Sequence, residues 1–351
     1  MNTKDQIALL LEQNGDGFIS GSTLAKRLGL TRAAVWKCVT GLSGDGYAVE
    51  STHRGYRLGR ESDAVSENSI RTYLGEYASV FEPEVFREIS STNSYLKEKA
   101  SDSLHGSTEN EVKTWHTVIA SAQTAGRGRK GRSFISPPGT GLYLSVLLRP
   151  KADAGLAARI TTAAAVAACV SIEACTEEHP QIKWVNDIYL RGKKVCGILT
   201  EASIGLESGG LDWAVMGIGF NVYEPEGGFP EELRETAGPI ATERQRDLRS
   251  RIAAAFLKEF YRICSDLEGA DLSEEYRKRC FLIGKEINVI SGDKVTPATA
   301  LDVDRECHLI VRYADGSTES LSSGEVSVRP IDKTIEQGGS PLPDVTQERT
   351  E

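Results

Sequence analysis

The chain has 351 residues, 40% hydrophobic and 26% charged, an ordinary globular balance long enough for two or three domains with their own cores. Asp and Glu outnumber Lys and Arg by 50 to 41, which excludes a protein that coats nucleic acid along its whole length but leaves room for one basic module. Seven scattered cysteines without any CxxC argue against a disulfide framework or a zinc site, and the N-terminus shows no signal-peptide core, so the sequence reads as a soluble, cytoplasmic protein with no membrane span.

Residues 5–13 place Ile7, Leu10 and Leu11 at helical spacing, and Asn14-Gly15-Asp16-Gly17 stops that helix. Ser22 is positioned to cap a second helix that Gly29 ends, and Thr31 to cap a third, Arg32 to Leu42. Two short strands follow, Tyr47 to Ser51 and Tyr56 to Leu58, with His53-Arg54-Gly55 near the turn. Three helices and a hairpin in this order predict a winged helix-turn-helix over residues 1–62. Its third helix would enter the major groove by the end that carries Thr31, Arg32, Trp36 and Lys37, and its wing would offer His53, Arg54 and Arg57 to phosphates. Residues 1–60 hold eight Lys/Arg and five Asp/Glu, so positive charge is concentrated here in a chain of net charge −9. Gly59-Arg60-Glu61-Ser62-Asp63 reads as a polar linker.

From Ser66 to about residue 282 the pattern becomes an α/β mixture. A strand near Val85 leads into Ser91-Thr92-Asn93, where hydroxyls and the free N–H groups of a helix N-terminus meet. The strand Val118 to Ala122 feeds the most unusual stretch, Gln123-Thr124-Ala125-Gly126-Arg127-Gly128-Arg129-Lys130-Gly131-Arg132. It packs three glycines and four cations into residues 126–132, the composition of an anion clamp or, equally, of a solvated basic turn. The alanine-rich helix Gly155 to Cys175 reads as core. Lys183-Trp184-Val185-Asn186-Asp187 is a strand running into an Asn-Asp turn, and aspartate there can hold Mg²⁺. Lys194 opens the next strand, and Gly217-Ile218-Gly219-Phe220-Asn221 ends another with room for a close ligand and a polar reader, Asn221. Beyond residue 283, short strands at 287–290, 297–303, 309–313 and 325–329, with a hairpin turn at Asp315-Gly316, predict a small β domain to residue 330. Residues 331–351 are polar and read as a disordered tail.

The cleft-type stretches occur in one order: Ser-Thr-Asn at 91–93, the glycine-arginine run at 123–132, Lys-Trp-x-Asn-Asp at 183–187, and Lys-x-x-Gly-Ile-Leu-x-Glu at 194–201. In that order they resemble the biotin protein ligase family over residues 5 to 330, and the winged helix resembles its bifunctional members, which also repress biotin genes. The resemblance implies an α+β multi-domain chain: a winged helix-turn-helix, a central α/β catalytic domain of the biotin/lipoate-ligase type, and a small SH3-like C-terminal β-barrel.

The activity so implied uses biotin, ATP and Mg²⁺ to form biotinyl-5′-AMP, then acylates a lysine of the biotin carboxyl carrier domain of a carboxylase. By position, Ser91, Thr92, Asn93 and Gln123 correspond to residues around biotin's head, and Arg127, Gly128 and Arg129 to the loop that folds over the adenylate. Lys194 corresponds to the lysine at the reacting carboxylate and α-phosphate, Asn186 and Asn221 to nucleotide-side residues, and Asp187 to the acid near the metal. Implied partners are the carrier domain, operator DNA and a second copy of the chain when adenylate is bound. Val185 departs from the proline usual in this family. The alternatives are a ligase whose winged helix does not regulate, a lipoate ligase, and a ligand sensor without catalysis.

Overall fold

The structure is a computed structural model and describes residues 2–105, 112–150, 155–204, 210–267, 269–322 and 326–330. The chain forms two compact units: Met1–Phe281 with Val303–His308, and Leu282–Asp302 with the chain from Leu309 onward. The stretch read as a disordered tail, 331–351, lies outside the described residues.

The first unit begins with helices α1 (Thr3–Gln13), α2 (Gly21–Leu28) and α3 (Arg32–Gly41) and the hairpin β1 (Val49–Thr52) and β2 (Gly55–Leu58). Ile7, Leu11, Leu24, Val35, Val39 and Leu42 point inward and form one core, as the helical spacing requires. The cap of α2 differs from the sequence reading. Ser20 takes the extended cap conformation and accepts from Thr23 N at 3.0 Å, so the helix starts before Ser22. Thr31 caps α3 as read, accepting from Ala34 N at 3.1 Å.

The central part follows with α4 (Glu67–Leu74), α5 (Ala78–Phe81), β3 (Glu84–Phe86), α6 (Thr92–His105), β4 (Thr117–Ala120), β5 (Gly141–Leu148), α7 (Leu156–Cys175), β6 (Gln181–Lys183), β7 (Asp187–Leu190), β8 (Lys193–Ile204), β9 (Leu211–Asn221), α8 (Leu248–Cys264) and α9 (Ser273–Arg279). Seven strands make one mixed sheet in the order β3-β4-β5-β9-β8-β7-β6, with β3–β4 parallel and the other pairs antiparallel. The β7–β8 turn, Arg191-Gly192, has positive φ at both positions (50° and 76°), the conformation that matches strand twist in a two-residue hairpin. α7 is 20 residues long and apolar enough to cross a bilayer by length and composition, but 67% of its most apolar window is buried. Its alanines let α8 and the sheet approach closely, so this is a core helix of the α/β unit.

The stretch read as a polar linker is only partly solvated: Arg60 and Glu61 are exposed, while Ser62 and Asp63 are buried in the core. Asp63 is 0% exposed and Arg249 of α8 is 1% exposed. Arg249 donates from its backbone N and its Nε to the Asp63 carboxylate, each at 3.0 Å, from Nη2 to Asp63 O, and from Nη1 to Gly141 O at 3.3 Å. Asp247 N bonds Ser62 O at 3.0 Å, and Asp63 N bonds Gly46 O at 3.1 Å. Asp63 is polar because a buried guanidinium needs acceptors, whereas Arg60 and Glu61 of the same run are exposed to solvent. Burial raises the Asp63 carboxyl, with the Arg249 charge opposing.

In the second unit, β10 (Glu286–Ser291), β11 (Lys294–Val303), β12 (Leu309–Tyr313), β13 (Thr318–Leu321) and β14 (Val326–Pro330) form a small sheet in the order β13-β12-β11-β10-β14. β13 escapes sequence reading because Thr318-Glu319-Ser320 carry no apolar alternation. The Asp315-Gly316 turn forms as read, with Asp315 Oδ1 accepting from Ser317 N at 2.9 Å.

Removing one partner of a buried ion pair leaves the other charge uncompensated. Asp63→Ala is therefore expected to destabilise the protein by about 3–5 kcal/mol, seen as a fall in the urea midpoint. A loss under about 1 kcal/mol would mean that the pair is dispensable.

Candidate active site and nucleic-acid face

A cleft opens between α6, the glycine-arginine loop and strands β8 and β9. Ser91, Thr92 and Asn93 are buried at the start of α6. The conformation of this helix end is set by neighbours on other elements. Thr92 N donates to Gln123 Oε1 at 2.9 Å, and Ser145 Oγ of β5 lies 2.8 Å from Thr92 Oγ1 and 2.6 Å from Asn93 Oδ1. Asn93 Nδ2 donates to Leu199 O at 3.2 Å and Glu201 Oε2 at 3.0 Å.

The loop is a closed hairpin rather than a loose turn. Gln123 N bonds Ser136 O at 3.0 Å, Phe134 N bonds Gly126 O at 2.9 Å, and Gly128 N bonds Arg132 O at 2.7 Å. The tip, Arg129–Gly131, is one tight helical turn with Lys130 at φ 56°. This folding sorts the four cations. Arg127 and Arg129 line the cleft, and Lys130 and Arg132 are exposed outside its lining. Arg129 Nη1 donates to Asn186 Oδ1 at 3.0 Å, while Arg127 Nη2 stands 3.4 Å from Glu201 Oε1. Burial lowers the Arg129 guanidinium from its ordinary value, with the Asp187 charge opposing. Burial alone would push the Glu201 carboxyl up, but hydrogen bonds from Lys97 and Asn93 outweigh it and hold the group below its usual value.

On the opposite wall, Lys194 Nζ lies 2.7 Å from Asp187 Oδ1. Asn186 is braced by Nδ2 to Ile198 O at 2.8 Å. The Trp184–Val185 peptide is cis. Trp184 Nε1 donates to the backbone Cys307 O at 3.0 Å, and the buried Tyr276 hydroxyl donates to Val185 O at 3.0 Å, so two hydrogen bonds to distant segments hold this turn.

The glycines supply space. A Cβ at Gly217 would lie 1.9 Å from Asn93 Oδ1, and one at Gly219 would lie 2.7 Å from the Phe134 ring. No side chain fits at either position without moving its neighbour.

The cleft thus brings together Ser91, Thr92, Asn93, Gln123, Arg127, Gly128, Arg129, Asn186 and Lys194. Two residues picked from sequence are not in its lining. Asp187 pairs with Lys194 at 2.7 Å, and Asn221 pairs with Gly141 and turns its Nδ2 toward Lys194 O at 3.4 Å. Phe134 and Ser145 were missed. Phe134 is a single aromatic just after the cationic run, and Ser145 is one polar residue inside an apolar strand; that break in pattern was the available signal.

A second face lies on α3. Arg32, Trp36 and Lys37 are exposed, Trp36 at 62%. The Thr31 hydroxyl is committed to capping. In the wing, Arg54 and Arg57 each place a guanidinium 4.7 Å from the Phe18 ring centre, but Arg57 also bonds Glu50 at 2.8 Å. Arg54 is exposed, whereas Arg57, also read as a phosphate contact, is neutralised within the hairpin.

Residues 3–57 match an HTH domain family, residues 85–221 the biotin/lipoate A/B protein ligase family, and residues 282–329 the biotin protein ligase C-terminal domain. The bifunctional ligase/repressor BirA of Bacillus spizizenii is 38% identical over 241 residues, 68% of this chain and 70% of that protein. The protein of the same name from Escherichia coli is 28% identical over 337 residues, 95% of this chain and 99% of that protein. The biotin protein ligase from Aquifex aeolicus, solved in complex with biotin and ATP, shares the fold with a TM-score of 0.58 at 24% identity, covering 71% of this chain and 99% of that one. With the family motifs gathered in one cleft and a winged helix-turn-helix ahead of them, the chain belongs to the biotin protein ligases, in their bifunctional ligase/repressor group.

Proposed function

We propose that this protein is an ATP-dependent biotin protein ligase and a biotin-responsive transcriptional repressor, with the cleft as the ligation site and α3 with its wing as the operator-binding face. The observation that carries the ligase reading is the convergence of Lys194, Arg127 and Arg129 on a cleft that also holds the N-terminus of α6. Four sources of positive potential around one cleft suit a reaction between two anions.

In the first step an oxygen of the biotin carboxylate attacks the α-phosphorus of ATP. The bond to the bridging oxygen breaks, and pyrophosphate leaves with the electron pair. Biotin supplies the nucleophile, so no activated serine or cysteine is needed. Lys194 and Arg129 stabilise the charge gathering on the α-phosphate and the leaving group. Ser91, Thr92, Asn93 and Gln123 orient biotin's head, and Asn186 faces the nucleotide. Asn221 shapes that side through the backbone of Lys194. Arg127, Gly128 and Arg129 cover the mixed anhydride and keep water from it. In the second step the amine of a carrier-domain lysine attacks the acyl carbon and AMP leaves. Asp187 is the carboxylate nearest Lys194 and is the candidate acceptor for the incoming amine's proton.

Magnesium enters this reading with ATP. Among the described residues no cluster of three or more His, Cys, Asp or Glu offers a metal cage. One carboxylate, Asp187, together with substrate phosphates and water, is a donor set that Mg²⁺ accepts. The bound ion would supply charge neutralisation on the phosphates.

The lysine-bearing carrier domain is the macromolecular substrate, and operator DNA of biotin genes is the second partner. Two copies joined when adenylate is bound would present two α3 helices to two half-sites. Seven scattered cysteines without any CxxC support a cytoplasmic location.

Lys194→Ala is expected to lower biotin-dependent ATP–pyrophosphate exchange by about 10²–10³-fold, with an unchanged circular dichroism spectrum. Retained exchange would remove Lys194 from the chemistry, and no exchange by the unmodified protein would remove the ligase reading. Arg129→Gly should speed adenylate dissociation about tenfold, measured by rapid dilution of labelled adenylate. On promoter DNA, biotin plus ATP should tighten binding; an unchanged affinity would end the repressor reading. Arg54→Ala should reduce the slope of log K against log salt by about one, while Arg57→Ala should leave it nearly unchanged. Equal effects would refute the distinction between them.

A further inference from the structure

Glu201 of β8 is absent from the cleft lining, yet it touches both sides of it. Its Oε2 accepts from Asn93 Nδ2 at 3.0 Å, at the α6 end of the cleft. Its Oε1 lies 2.7 Å from Lys97 Nζ and 3.4 Å from Arg127 Nη2, on the loop. The side chain is 20% exposed, so the carboxylate works in a partly desolvated setting where charge counts for more than at an open surface. Its bond to Asn93 also decides which way that amide points. Nδ2 faces Glu201 and Leu199 O, leaving Oδ1 toward the Ser145 hydroxyl.

We infer that Glu201 is a positioning residue for ligation: a single carboxylate that orients Asn93 and tethers the Arg127 root of the loop, so that the biotin side of the cleft is assembled before substrate arrives. The inference rests on the ligase reading above. Preassembly removes ordering cost from binding without entering the chemical step. Loss of the tether therefore shows in KM for biotin and not in kcat.

Glu201→Gln keeps the size and an acceptor for Asn93 but removes the charge that holds Arg127. It should raise the biotin KM about threefold, with kcat close to that of the unmodified protein. The rise should shrink as salt increases, because the lost attraction is electrostatic. In an Arg127→Ala background the same substitution should have much less effect, giving a non-additive double-mutant cycle. Trypsin should cut the 127–132 loop of Glu201→Gln faster than that of the unmodified protein in the absence of biotin and ATP. Glu201→Asp, which retains the charge, should fall between the two and guards against misfolding of the glutamine variant. Additive effects with Arg127→Ala, or unchanged loop cleavage, would overturn the role of Glu201. An unmodified protein that fails to exchange pyrophosphate would instead overturn the ligase reading, and the cleavage comparison would still judge the tether.

Discussion

Arg249 is a cation with essentially no access to water, and the first unit is arranged so that its donors have acceptors. The Asp63 side chain and backbone take three of its bonds, and Gly141 O takes a fourth. Those acceptors come from distant parts of the chain. Asp63 follows the winged helix, and Gly141 starts β5, the strand whose Ser145 bonds the cleft residues Thr92 and Asn93. One desolvated charge thus links the end of the winged helix-turn-helix to the sheet that builds the cleft. A hydrophobic contact could bury similar area, but it would not specify which backbone carbonyl must lie at which nitrogen.

The cleft follows a related rule at lower burial. Each cation that lines it already faces a protein acceptor: Lys194 faces Asp187, Arg129 faces Asn186 and Arg127 faces Glu201. The donors are thereby held near where an anion would sit, and the reorganisation that a flexible basic loop would require is reduced. The glycines at 217 and 219 complete the arrangement by giving Asn93 and Phe134 the space that any side chain would occupy.

The winged helix shows why counting cations overstates a binding face. Its charge excess is real, but Arg57 is spent on Glu50 and the Thr31 hydroxyl on a helix cap. Of the groups read as DNA contacts, Arg32, Trp36, Lys37, His53 and Arg54 remain outward on α3 and the wing, a narrower set than the composition implied.

Most of the helices and strands were legible in the sequence because local spacing carries them: the third helix from Arg32 and the Asp315-Gly316 turn needed only period, caps and turn chemistry. The motifs at 91–93, 123–132, 183–187 and 194–201 were legible for the same reason, since each is a short run of unusual residue types. By itself the sequence determined the order of modules, the family and nearly all of the cleft's polar residues. Tertiary structure alone decided which cations face the cleft, that Asn221 and Asp187 lie outside its lining, that Phe134 belongs to it while Ser145 braces Thr92 and Asn93, and that Asp63 is buried against Arg249. The reason is physical. Residue type states what a side chain can bond, but the partner of a buried charge or a crowded glycine lies far away in sequence, and only folding brings it within reach.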